Sequence, residues 1–185
     1  MFGYVAAAIG IAMVGKTVWM IDDWGRDLTQ NDAEWSDASD DQSQRPLRLE
    51  ASTEDVEAAI HQWVDGESKW AVVEATDQAA GPPMAIQQLG GQQSSGQQVG
   101  GQQANSLRRL HLTRTTPLFR FVDDIWVDVL PLDDSDSRSD SDSGTQVLVN
   151  ARSQSRVGKG DLGQNPRNLK ALRDGMLASG LRPVR

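Results

Sequence analysis

The sequence predicts an α+β domain: an antiparallel sheet of about five strands in the order strand, helix, four strands, helix, with both helices on one face and an N-terminal transmembrane helix ahead of it. Three observations carry this. Five stretches alternate apolar and polar residues with a period of two, two further stretches repeat with the period of a helix, and the first 21 residues form an almost uninterrupted apolar run. Strands that follow one another through loops, with no helix between them, pair antiparallel.

Met1 to Ile21 contains one charge, Lys16, and is closed by Asp22 and Asp23. As a helix it spans about 31 Å, the thickness of a bilayer core. The stem of Lys16 reaches toward the headgroups, and Trp19 and Trp24 suit the interfacial belt. The run lacks a basic segment before it and a small-residue cleavage pattern after it, which favours a single-pass anchor over a cleaved signal peptide. Membrane lipid is therefore the expected partner of residues 1–21. The flanking charge does not choose the side on which the rest of the chain lies. Residues 22–44, with Asp32, Glu34, Asp37, Asp40 and Asp41, read as a solvated acidic linker, and Trp35 as a partly exposed tryptophan within it.

The domain is expected over 45–180. Arg45 to Ala51 is its first strand, with Leu47, Leu49 and Ala51 on one face. Ser52 starts a helix by capping the amide of Asp55, Val56, Ala59, Ile60, Trp63 and Val64 form its apolar stripe, and Gly66 ends it. His61 falls off that stripe and reads as a solvated residue. Lys69 to Thr76 is the second strand. The segment 77–104, with its repeated GGQQ unit, has too little to bury to offset its ordering entropy and reads as a disordered insert, as does the acidic run 133–144. Ser106 to Thr116 and Leu118 to Leu132 are the third and fourth strands. In the fourth, Phe119, Phe121, Ile125, Val127 and Val129 face one way and Arg120, Asp124, Trp126 and Asp128 the other. The fifth strand, Thr145 to Val157, places Val147, Val149, Ala151 and Val157 opposite Asn150, Arg152, Gln154 and Arg156. Asn165 and Pro166 open the last helix, whose stripe is Leu169, Leu172, Met176 and Leu177, with Gly180 beyond its end.

Composition narrows the chemistry. The 185 residues carry a net charge of -8, which disfavours nucleic acid as a partner, and no cysteine, which removes thiolate nucleophiles and thiolate metal sites. Against that balance the C-terminal stretch is locally basic. The glycines Gly158, Gly160 and Gly163 form G-x-G-x-x-G, but no acidic residue lies about 20 positions on to hold a ribose, and a tight turn explains them better than a dinucleotide. Arg152 and Arg156 share a strand face, Lys159 follows, and the helix start at Asn165 offers amides and a positive dipole end. Together these form a candidate site for a small anionic ligand or a partner protein. Asp123, Asp124 and Asp161 are the candidate carboxylates. They read as structural ion-pair partners, Arg156 pairing with Asp124 or Asp161. The alternatives are a carboxylate-based, metal-assisted enzyme and a scaffold acting through its acidic and Gln-rich inserts. No metal site, cofactor or catalytic residue is assigned, and Asp123 and Asp124, adjacent on a strand, should point to opposite faces.

Phe119 to Asp124 (FRFVDD) and Ser155 to Asn165 (SRVGKGDLGQN), with PLRLEASTEDVEAAI upstream, closely resemble the family called domain of unknown function 1499, over roughly Arg45 to Leu177. The resemblance implies an exported or membrane-tethered module of no established activity. Many members open with an Asn-Pro-Asn-Cys-like segment that this chain lacks.

Overall fold

The computed structural model describes residues 24–76, 107–117, 120–132 and 145–184. The expected anchor at 1–21 and the inserts 77–104 and 133–144 lie outside them. Helix α1 spans Trp24–Thr29, strand β1 Asp32–Glu34, a 3-10 turn Gln42–Gln44, β2 Leu47–Glu50, α2 Thr53–Asp65, β3 Trp70–Thr76, β4 Arg108–Thr115, β5 Val122–Leu132, β6 Gln146–Ser155 and α3 Gln164–Ala178. Six strands form one antiparallel sheet in the order β1-β6-β5-β4-β3, and β2 joins the same edge of β6 as β1, farther along it. The α+β class and the antiparallel sheet stand as expected. The count rises from about five strands to six, and from two helices in the domain to three.

The extra elements come from the segment read as a solvated linker. Over 24–44 that reading is corrected. Asp32, Ala33 and Glu34 pair with Gln154, Ser153 and Arg152, and Trp35 donates its amide to the Ala151 carbonyl at 2.9 Å. Trp35 is 1% exposed, a core residue. A stretch so rich in Asp cannot drive its own folding, but one large indole buried at the edge of a preformed sheet, with backbone pairing to β6, fixes it.

Both α2 and α3 pack on one face of the sheet. Leu47, Leu49, Leu110, Leu112, Ile125, Val127, Val129, Val147, Val149 and Ala151 from the strands meet Val56, Ile60 and Val64 of α2 and Leu169, Leu172 and Met176 of α3. Ser52 caps α2 through the amide of Asp55, and Asp55 returns a bond to the Ser52 amide, a full capping box. Helix α3 starts at Gln164 rather than at Pro166. Its N-cap is Gly163 in the left-handed region, and Asn165 is not the cap. The helices cross where Gly175 faces Trp63: a Cβ there would lie 2.4 Å from the indole.

Two shifted strand limits move expected core residues to the surface. β5 begins at Val122, because Thr116 to Phe121 closes a tight connection in which Arg120 takes φ 53, and Phe121 is exposed instead of joining the core. β6 ends at Ser155, so Val157 is likewise exposed. Phe119 lies outside the described residues.

Candidate functional site

The strand register places the polar residues of the face opposite α2 and α3 in rows. Arg109 of β4, Asp128 of β5 and Asn150 of β6 form one row, His111, Trp126 and Arg152 the next, and Thr113, Asp124 and Gln154 the third. The Arg109 guanidinium grips Asp128 through two bonds of 2.5 and 2.6 Å, with side chains 2% and 0% exposed. His111 stacks on Trp126 with ring centroids 5.4 Å apart, and its Nε2 lies 2.8 Å from Asp124 Oδ1.

Each predicted site residue has a definite place. Arg156 donates from Nε and Nη2 to the two oxygens of Asp124, both at 2.7 Å, in a bidentate pair. Burial opposes ionisation of Asp124, but the bonds from Arg156 and His111 outweigh it and hold the carboxyl below the usual range; the same pairing pushes Arg156 further up. Arg152 donates to Asp32 at 2.7 Å and sits 4.0 Å from Glu34, so the acidic residues of the supposed linker neutralise it. Lys159 is exposed in the turn after β6 and makes no ion pair among the described residues, and the same is true of Arg120.

Asn165 is fully buried and belongs to a network under the start of α3. Ser153 donates to Asn165 at 2.6 Å, Ser155 donates to Asp123 at 2.6 Å, and Asn168 donates to Asp123 at 2.9 Å. Arg114 donates to Asn168 at 2.8 Å from the neighbouring strand. These side chains share a face of the sheet with the apolar core, because Asp123 and Ser155 continue the alternation of Ile125, Val127 and Ala151. The amides expected to take a ligand at the helix start are occupied from within. Asp161 accepts from Gly163 N at 2.9 Å and from Asn165 N at 2.6 Å. Burial raises its pKa against the pull of those amides. An internal carboxylate at the positive end of the helix takes the place of an external anion.

The glycine turn is a packing device. Gly158 and Gly163 take φ 100 and 72, and a Cβ on Gly160 would meet the Leu28 backbone at 2.5 Å. The turn thus locks α1 to the sheet, with Asp161 N donating to Gln30 O and Leu162 N to Asp27 O. Asp123, Asp124 and Asp161 do not converge. Asp123 points under α3, Asp124 points to the opposite face, and Asp161 caps the helix. Among the described residues no group of three or more His, Cys, Asp or Glu is placed to hold a metal ion.

A cleft of about 450 Å³ lies between α2, α3 and β3, lined by Trp63, Trp70, Arg114, Glu67, Lys69 and Asp174 among others. Its tryptophan rings are 4.8 Å apart, and Arg114 sits 6.0 Å from the Trp70 ring. Periodicity placed these residues on helix and strand but gave no signal that they meet, since the helix crossing brings them together.

A family model for proteins of unknown function, DUF1499, matches residues 27–176, a span that takes in the buried network, the glycine turn and β1. The chain belongs to the DUF1499 family. The match begins at Asp27, within α1, so the family unit includes the segment before Arg45. No curated protein and no solved structure matches the chain. In this DUF1499 domain the motif residues Asp123, Ser155, Asp161 and Asn165 are engaged with one another or with the neighbouring backbone, and they build the junction of α1, β6 and α3.

Proposed function

We propose that this DUF1499 protein is a membrane-anchored, non-catalytic binding module, held by Met1 to Ile21, that meets an anionic partner with the exposed cations at one end of its sheet. One observation carries the reading. The carboxylate, hydroxyl and amide groups of the family motifs, on Asp123, Asp124, Ser155, Asp161 and Asn165, are engaged within the fold, whereas Arg120 and Lys159 of the same motifs are exposed with no ion-pair partner among the described residues, and Arg156 is half exposed. Buried and satisfied side chains position a fold; unpaired exposed cations recognise anions. Arg152 is the weaker contributor, since Asp32 already holds it.

The test is fractionation followed by binding. The full chain should stay with membranes through a high-pH wash and be released by detergent. Binding of inorganic phosphate or an anionic lipid should weaken in Arg120→Gln/Lys159→Gln. A full-mass chain in the aqueous fraction would remove the anchor. Stoichiometric metal in the purified protein, lost on Asp124→Asn, would favour a carboxylate enzyme instead. A second reading, a scaffold acting through its inserts, draws on the topology: Thr76 pairs with Arg109 and Leu132 with Gln146, so both inserts leave from the same end of the sheet. Pull-down that depends on 77–104 or 133–144 would support it.

A further inference from the structure

The antiparallel register gives the domain two unlike ends. At one end lie the first residue of β3, Trp70, the connection from Thr115 to Val122, the turn from Arg156 to Gly163, and α1. At the other end lie the attachment points of both inserts, Thr76, Arg108, Leu132 and Gln146, together with β2 and its bridge to Pro183. β5 has 11 residues and separates the two ends by about 33 Å at 3.3 Å per residue.

The first end receives the chain from the apolar N-terminus, because α1 begins at Trp24 and is packed against the glycine turn. Of the four large hydrophobic residues exposed among those described, three are here: Leu28 on α1, Phe121 before β5 and Val157 after β6. Arg156 N bonds to Val122 O at 3.1 Å, which sets Val157 and Phe121 one step farther along adjacent strands. Around them stand Arg120, Arg156 and Lys159. Among the described residues most carboxylates of this end are engaged, while Asp65 at the end of α2 and Glu67 before β3 are exposed. Asp27 is buried, Asp161 is bonded to the α3 amides, and Asp124 is held by Arg156 and His111. Asp32 is held by Arg152, and Lys69 follows the exposed Asp65 and Glu67 in the chain. An acidic protein thus presents an apolar and cationic surface at the point where its apolar segment joins the domain, and its acidic insert 133–144 departs from the far end.

We infer that this end, formed by Leu28, Arg120, Phe121, Arg156, Val157 and Lys159, lies against the surface of an anionic bilayer. The inference rests on the membrane-anchored reading above and adds the docking face, its lipid chemistry and the orientation of the domain. Exposed apolar side chains at headgroup depth gain by partial burial, and each cation near the surface strengthens association about fivefold. The far end, where the acidic insert is attached, is about 33 Å away, well beyond the ~8 Å screening length. The attachment points of both inserts then lie on the side away from the membrane.

The absence of cysteine allows a direct test. Single variants Val157→Cys and Glu50→Cys of the full chain, one at each end, are labelled with bimane and placed in nanodiscs of phosphatidylcholine with or without phosphatidylglycerol, carrying headgroup spin labels as quenchers. The Val157 label should be quenched several-fold more than the Glu50 label in the anionic discs, and this ratio should fall toward one in neutral discs and in Arg120→Gln/Lys159→Gln. Equal quenching of the two labels in anionic discs, with the chain retained in the bilayer, would overturn the docking face and leave the anchor standing. A chain that is not retained in the bilayer removes the anchor, and the same labels are then read on added anionic vesicles. Preferential quenching at Val157 there would still support the surface, and its absence would overturn it.

Discussion

Removing the guanidinium of Arg156 tests how much of the site is held by its most conspicuous ion pair. Its geometry matches that of Arg109 with Asp128, two short bonds to one carboxylate, but the solvent does not. Arg156 is 52% exposed and Asp124 14%, against 2% and 0% for the other pair. Water thus screens the Arg156 side of the bond, and Asp124 keeps His111 as a second partner, so Arg156→Ala should cost about 1 to 2 kcal/mol, between an exposed pair and a buried one. Arg109→Ala leaves the Asp128 carboxyl buried without this partner, and should cost about 3 to 5 kcal/mol. The assay is denaturant unfolding of the detergent-solubilised chain, with the cycle completed by Asp124→Ala and the double variant. A coupling energy near 1 kcal/mol is expected. The pH dependence has a definite sign. Because the carboxyl of Asp124 is depressed in the folded protein, the coupling is complete above the unfolded carboxylate pKa of about 3.9 and is lost as pH falls through the lower folded value. Additive single variants at neutral pH, or an Arg156→Ala cost equal to that of Arg109→Ala, would refute the argument that exposure sets the difference.

Trp35→Ala should destabilise by about 3 to 5 kcal/mol, since it empties a core site at the edge of β6; a loss below 1 kcal/mol by the same unfolding assay would return the segment to the status of a linker. Gly175→Ala should cost about 1 to 3 kcal/mol in spite of alanine's ~1 kcal/mol helix advantage, because its Cβ lands 2.4 Å from Trp63, and pairing it with Trp63→Leu should recover much of the loss. Asp161→Ala removes both amide bonds at the start of α3 and should cost about 1 to 2 kcal/mol, visible as faster amide exchange at Gly163 and Asn165. Replacing 77–104 and 133–144 with short Gly-Ser turns should leave the thermal midpoint within a few degrees, as loop closure changes by only about 0.6 kcal/mol per doubling of length, and loss of cooperative unfolding would show that these segments pack.

The local rules were legible in the residues themselves. The alternation in β2, β4, β5 and β6, the capping box at Ser52 and the stripes of α2 and α3 all depend on spacings of two to four residues, and within the strand limits these faces became the core, with Phe121 and Val157 left outside them. The opposite orientations of Asp123 and Asp124 follow from the same alternation, and the pairing of Arg156 with Asp124 was one of two partners that the charge pattern offered. What depended on meetings between distant segments was not legible. Nothing around Trp35 has a period, and its burial exists only because β6 offers an unpaired edge more than 100 residues away. Asn165 read as a cap and a ligand because an N-terminal amide carries a dipole in any helix; that Asp161 would fill that position, and that Ser153 and Asn31 would enclose the side chain, was decided by the left-handed turn at Leu162 and Gly163 and its contact with α1. The polarity of the two ends is likewise a property of the antiparallel register and of the glycine turn that holds α1, which together gather Leu28, Phe121 and Val157 from three separate parts of the chain. Sequence alone set each residue's local face and charge, and tertiary structure alone decided which of those charges were cancelled by a neighbour and which remained exposed, because Coulomb pairing and burial depend on distance in space and not on distance along the chain.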